Sequence, residues 1–211
     1  MKQIDDWCKE NKIDCLYYLK DYALNNDFEM ENGFIGLATR IELKKCLNNN
    51  KINDFNENKD IQLENIKPES VHKINPEILL RFNKTRFYRD NNFNKSLVTD
   101  MYRIWVKNHI NAKNAEVIGA YTDNQIVGFI TYELPSKNIP KIGLFSVKSN
   151  VENLGVGSQL LNKCIMDLMQ KKKDYLSVVT QKSNLKALKF YLKNDFKIKS
   201  SYNWFHKWYL N

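Results

Sequence analysis

The sequence predicts an α+β fold: one central mixed sheet, mostly antiparallel, flanked by helices, with a small appended region at the N-terminus. Three observations carry the prediction. After a stretch rich in Asn, Asp and Lys, the apolar periodicity switches in the order strand, two helices, three strands, helix, strand, helix, two strands. The chain has 211 residues with 43% hydrophobic content, enough for a sizeable core. A Gly-x-Gly turn also lies between the last strand of the central run and a strongly amphipathic helix.

Residues 1–45 mix short helical signals, at Leu16, Tyr18, Leu19 and Tyr22, with a strand-like run from Phe34 to Thr39. From Leu47 to Asp60 the residues are those of turns and solvated linkers. The chain therefore divides into a small region and linker over 1–58 and a main domain over 59–211. Ile61 to Ile66 reads as a short strand, and Pro68 followed by Glu69 suits the first turn of a helix running into the seventies. Leu97, Met101, Ile104, Trp105 and Asn108 recur at helical spacing within 94–110. Glu116–Tyr121 and Gln125–Tyr132 are apolar runs split by Thr-Asp-Asn, a hairpin signal. Pro140 opens a third strand that ends near Val147. Val156, Leu160, Leu161, Cys164, Ile165 and Leu168 share one face of the next helix. Tyr175–Thr180 is a strand, Ser183–Asn194 a helix, and 196–200 with 203–209 form a closing pair of strands.

Composition narrows the function classes. Thirty-three Lys and Arg against 24 Asp and Glu leave a net charge of +9, which suits a phosphate-bearing partner. The basic residues are scattered among asparagines rather than gathered in one block, so nucleic acid is not expected. Cys8, Cys15, Cys46 and Cys164 lie far apart with no CxxC pair or zinc-type spacing, and are read as free thiols with no metal site. No segment approaches the roughly 18 consecutive apolar residues of a membrane span, and a cytoplasmic protein is expected.

The turn after Val147 carries the first chemical signal. A strand feeding a glycine turn that opens a helix gathers unpaired backbone N–H groups and the positive end of the helix dipole at one point, where a pyrophosphate binds. Gly155 and Gly157 permit close approach of that phosphate. The bland alternative, two glycines in an ordinary tight turn, is equally favoured on the pair alone. The second signal lies on the helix after Thr180. Asn184, Ala187, Leu188, Tyr191 and Leu192 fall on one face. A phenol there stays protonated at neutral pH and can give its proton to a departing thiolate; by position alone it is more readily a packed aromatic whose hydroxyl reaches the surface.

Val147, then Glu152, then Asn153-Leu154-Gly155-Val156-Gly157 resembles motif A of the GNAT acetyltransferases, and Asn184-x-x-Ala187-x-x-x-Tyr191 resembles their second signature. Glu152 departs from the family's Gln or Arg. The resemblance implies the GNAT fold, acetyl-coenzyme A as co-substrate, and a diphosphate held by the amides of Asn153, Leu154, Gly155, Val156, Gly157 and Ser158. It implies too that Phe145 and Val147 offer splayed backbone groups to the pantetheine arm and the thioester carbonyl, that Asn184 holds the pantetheine region, and that Tyr191 donates the proton.

On the acceptor side, Glu133 at the end of a hairpin strand is a candidate base, with His109 and His206 weaker candidates. Thr85-Arg86-Phe87-Tyr88-Arg89-Asp90 with Trp105-Val106-x-Asn108 is similar to a run in the dTDP-4-amino-4,6-dideoxygalactose N-acetyltransferases of surface-polysaccharide synthesis, with Thr85 in place of Ser. That similarity implies a nucleotide-linked amino sugar as acceptor, its diphosphate clamped by Arg86 and its rings laid on Phe87 and Trp105, and it carries the expectation of a homodimer. A GNAT enzyme acting on a peptide, polyamine or aminoglycoside, or a non-catalytic acyl-coenzyme A-binding module, are the alternatives.

Overall fold

A computed structural model of the chain describes residues 1–48 and 58–209. Eight strands form one sheet in the order β1-β8-β2-β7-β6-β5-β4-β3. They are β1 (Cys15–Asp21), β2 (Ile35–Cys46), β3 (Gln62–Asn65), β4 (Ala115–Thr122), β5 (Gln125–Glu133), β6 (Lys141–Val147), β7 (Tyr175–Gln181) and β8 (Lys197–Trp208). Every neighbouring pair is antiparallel except β6 with β7, so the sheet is mixed and mostly antiparallel as expected.

The helices are α1 (Lys2–Glu10), α2 (Asp27–Glu31), α3 (Pro76–Leu79), α4 (Arg86–Arg89), α5 (Lys95–Asn111), α6 (Val156–Gln170) and α7 (Leu185–Lys193). They cover both faces of the sheet. Alternation along the strands divides the core accordingly: Ile118 and Ile130 face α6 and α7, where Leu160, Leu161, Cys164 and Leu168 are buried, while Val117 and Phe129 face α3 and α5, against Ile78, Leu79, Val98 and Val106. Each fully buried Leu or Ile on these faces contributes about 1.5–3 kcal/mol. The β4–β5 hairpin turns on Asp123 and Asn124, both at positive φ (48° and 61°), the backbone that a two-residue turn between twisted strands requires. Asn94 caps α5, its side chain accepting from the N–H groups of Ser96 and Leu97.

Three expectations are corrected. The helical reading of Leu16, Tyr18, Leu19 and Tyr22 gives way to β1, which pairs along its whole length with β8; Tyr and Leu at these positions suit a pleated surface as well as a helix, and tertiary pairing decided. The helix expected from Pro68 is a 3₁₀ turn, Pro68–Lys73, followed after Asn75 by the single turn of α3. Pro76 ends the first segment and starts the second. The closing pair of strands is one continuous strand, β8, whose polar centre at Ser200 and Ser201 pairs with Glu42 and Ile41 of β2 rather than turning. Across the expected boundary at residue 58 the sheet is shared, with β2 between β7 and β8. Most of the expected linker, residues 49–57, lies outside the described residues.

Candidate functional site

The site begins with a fault in β6. Ile130 pairs with Phe145 and Tyr132 with Ile142, so Thr131 alone faces both Gly143 and Leu144. This is a β-bulge, which bends its strand and breaks the ladder locally. Thr131 accommodates it by accepting the Leu144 N–H on its Oγ1 at 2.8 Å. On the other edge, the parallel ladder with β7 stops at Ile142 and Val178, although both strands continue. The strands diverge beyond that point. Lys148 N–H bonds Val127 O, and alternation from there turns the main-chain groups of Phe145 and Val147 away from β5, into the gap.

At the end of the gap the chain makes an exposed turn. Asn153 (φ 67°) and Gly155 (φ 84°) both adopt the left-handed conformation, and the space where a Cβ on Gly155 would stand is empty within 4 Å. The N–H of Leu154 goes to Val151 O, but among the described residues those of Asn153, Gly155, Val156, Gly157 and Ser158 have no backbone acceptor, and α6 has no side-chain cap. Free donors at the positive end of a 15-residue helix fit an anionic group such as a diphosphate. Glu152, the unexpected carboxylate, is paired with both Arg81 and Lys186. Its charge is thereby covered by two cations that reach the turn from either side.

Tyr191 stands below this turn on α7. Its ring centroid lies 6.4 Å from that of Phe145, 5.6 Å from Phe190 and 5.3 Å from Phe196. Burial pushes the phenol well above its usual range, with Cys164 adding to the effect, so the proton stays on at neutral pH. The hydroxyl has no hydrogen-bond partner among the described residues. Gly157 faces the rings of Phe145 and Phe190, so strand, turn and helix converge on one place. Asn184 is the N-cap of α7, its Oδ1 accepting from Ala187 N–H at 3.3 Å, which leaves its amide N–H groups available.

Glu133, Trp105 and His109 form a second cluster at the bulge. His109 Nε2 lies 3.2 Å from Glu133 Oε1 and 3.0 Å from Trp105 Nε1. The imidazole is buried, and burial lowers its pKa against the opposing pull of Glu133. Its ring packs on Gly143 so closely that a Cβ there would come to 2.6 Å from Cε1. Spacing of Trp105 and His109 at i and i+4 could have placed them together; the link to Glu133 is visible only in the fold.

Arg86 and Phe87 make a third cluster. The Arg86 guanidinium lies over the rings of Tyr17, Phe87 and Trp204 at 4.4, 4.0 and 4.2 Å and gives one N–H to His206 Nε2 at 2.6 Å. Because guanidinium cannot accept, that nitrogen of His206 is the bare one, and its Nδ1–H donates to Asp90 Oδ2 at 2.7 Å. Trp208 donates to the same oxygen. His206 is therefore spent on a buried network joining α4 to β8.

Residues 82–196 match the model of the acetyltransferase (GNAT) family, just over half of the 211 residues. The spore coat polysaccharide biosynthesis protein SpsD of Bacillus subtilis is 24% identical over 127 residues, 60% of this chain and 44% of its own length. The uncharacterized protein YxbD of the same organism is 36% identical over 76 residues, 36% of this chain and 46% of its own length. The chain thus spans less than half the length of either relative. Among solved structures, a conserved protein of unknown function from Staphylococcus epidermidis superposes with a TM-score of 0.76 at 13% identity, over 99% of this chain and 78% of that one. The PaiA N-acetyltransferase of Thermoplasma acidophilum in complex with coenzyme A gives 0.57 at 18% identity, over 71% and 99%. At these identities the likeness is one of fold.

Proposed function

The chain belongs to the GNAT family of acetyltransferases, and we propose that it transfers the acetyl group of acetyl-coenzyme A to the amino group of a nucleotide-linked amino-deoxy sugar. The observation that carries this reading is the convergence of free N–H groups at the Asn153–Ser158 turn, a strand gap lined by Phe145 and Val147, and the phenol of Tyr191. The turn takes the diphosphate, and the gap takes the pantetheine arm beside the amide of Asn184.

The reaction follows from the chemistry of a thioester and an amine. Glu133 removes a proton from the acceptor ammonium, and the neutral amine attacks the thioester carbonyl. Negative charge developing on that oxygen is met by a main-chain N–H of the gap. The carbonyl re-forms as the carbon–sulfur bond breaks, Tyr191 gives its proton to the leaving sulfur, and the second proton of the amine nitrogen is then released to restore the phenol, leaving the neutral amide. Residues 59–211 hold every group assigned a chemical step, with residues 1–58 completing the sheet.

The sugar acceptor rests on the Arg86–Trp105 run and on the match to a polysaccharide biosynthesis protein. Trp105, 37% exposed, offers a flat surface to a ring. Arg86 retains N–H groups beyond the one given to His206, and these are assigned to the acceptor diphosphate, with Phe87 backing the guanidinium.

Calorimetric titration with acetyl-coenzyme A tests the first half, and a panel of nucleotide amino sugars followed by thiol release tests the second. Tyr191→Phe is expected to lower kcat at least tenfold, on the order of 1.4 kcal/mol, with little change in KM. No heat of binding would end the reading. Turnover of peptides or polyamines with silence on sugars would end its acceptor half.

A further inference from the structure

His109 occupies a place that acetyl transfer as described above leaves without a role. It is 7% exposed, yet its Nδ1 is fully buried with no partner among the described residues. Its Nε2 stands between an indole N–H and a carboxylate oxygen. One imidazole nitrogen cannot serve both neighbours at once. With the proton on Nε2 it donates to Glu133; with the proton on Nδ1 it accepts from Trp105.

The two arrangements differ in what they leave unpaired. A proton on Nδ1 would be a buried donor without an acceptor, a cost of about 1–3 kcal/mol. A proton on Nε2 leaves a bare nitrogen inside and takes the acceptor from the indole N–H 3.0 Å away, on a residue that is itself 37% exposed. The second arrangement is favoured whenever Glu133 is ionised. Gly143 then explains itself: only a residue without Cβ leaves room for the imidazole against the bulge, at the spot where β6 leaves β7.

We propose that His109 is the positioning residue of the acceptor side, its Nε2–H aiming the Glu133 carboxylate from the bulge of β6 while its ring sets the place of Trp105. One oxygen of Glu133 is held by the imidazole, and the other is left for the acceptor ammonium. Lys141 stands directly opposite Glu133 in the β5–β6 ladder, yet among the described residues the carboxylate is paired with His109 and not with Lys141, and Ala115, its partner on β4, has no polar side chain. The assignment rests on the acetyl-transfer reading only for its kinetic consequence; the tautomer is a property of the protein alone.

Nitrogen-15 spectra of the histidine rings at neutral pH are expected to show His109 as the Nε2–H tautomer, moving to the Nδ1–H form in Glu133→Leu, where Trp105 becomes the sole neighbour. An Nδ1–H or doubly protonated ring in the unaltered protein would overturn the assignment. In the transfer assay, His109→Leu is expected to lower kcat about tenfold with KM for acetyl-coenzyme A within about twofold, and His109→Gln, which restores an N–H donor, to recover most of the loss. Equal losses in both variants, with acetyl-coenzyme A binding intact by calorimetry, would reduce His109 to a packing residue. If the unaltered protein failed to bind acetyl-coenzyme A, the enzyme reading would fall and the tautomer result would still judge this one.

Discussion

Glu152 sits where a neutral or positive side chain would be expected beside a diphosphate, and its pairing with Arg81 and Lys186 turns that apparent defect into a charge reserve. Replacing Glu152 by Gln frees both cations to face the phosphates. Coenzyme A is then expected to bind several-fold more tightly, a gain that shrinks as salt is raised, and calorimetry at two ionic strengths reads both effects. Gly155 is constrained in the opposite sense. A side chain there meets no steric obstacle, but φ of 84° is strained for any residue with a Cβ. Gly155→Ala is expected to cost about 1–2 kcal/mol in denaturant unfolding and to weaken coenzyme binding by misdirecting the amides that follow. Both residues were legible as a pattern in the sequence. What the pattern could not supply was the pair of cations, because Arg81 and Lys186 are distant in the chain from Glu152.

At the scale of elements, the bulge of β6 organises the site. It ends the ladder with β7, turns the main chain of Phe145 and Val147 into the gap, and seats His109 on Gly143. Gly143→Ala would push a methyl group to within 2.6 Å of the imidazole and 2.8 Å of Thr131 Oγ1. A loss of about 1–3 kcal/mol is expected from such overpacking, with a lower melting temperature and reduced turnover; a melting temperature unchanged from the parent would show that the bulge yields easily. Nothing in the run Lys141-Ile142-Gly143-Leu144-Phe145 announces a bulge, since apolar residues suit a buried strand in either register. The 3.6-residue period of α6 and α7, by contrast, was plain, because each helix buries a single stripe against the sheet.

For the molecule as a whole, the N-terminal strands close the sheet. Removing residues 1–46 would leave β7 without its outer neighbour and β8 without either, exposing unpaired edges. Such a truncated chain is expected to aggregate, which size-exclusion chromatography would show at once. Protonation gives a second global expectation. Burial lowers the pKa of both His109 and His206, opposed in each case by a carboxylate. The unfolded chain therefore binds more protons than the folded one as pH falls below about 6.5, and stability declines through that window. Burial alone would raise Asp90, but bonds from His206, the Asn92 N–H and Trp208 outweigh it and hold the carboxyl below its usual range. Its contribution is present above about pH 3.9 and is lost as pH falls through the lower folded value. Urea midpoints that fall between about pH 7.5 and 5.5, and fall again toward about pH 3, would bear out both signs.

The order of elements from residue 94 to the end of α7, the buried stripes of α6 and α7, the hairpin turn and the spacing of the glycine turn and Tyr191 were determined by the sequence itself, because each is a local pattern of polarity or backbone preference. The place of β1 and β2 in the sheet, the single span of β8, the seating of Arg86 between Tyr17 and Trp204 and the meeting of Glu133 with His109 were decided only in the tertiary structure. Each depends on partners far away in the chain, and a period of two or of 3.6 residues states which face is apolar without stating what that face will meet.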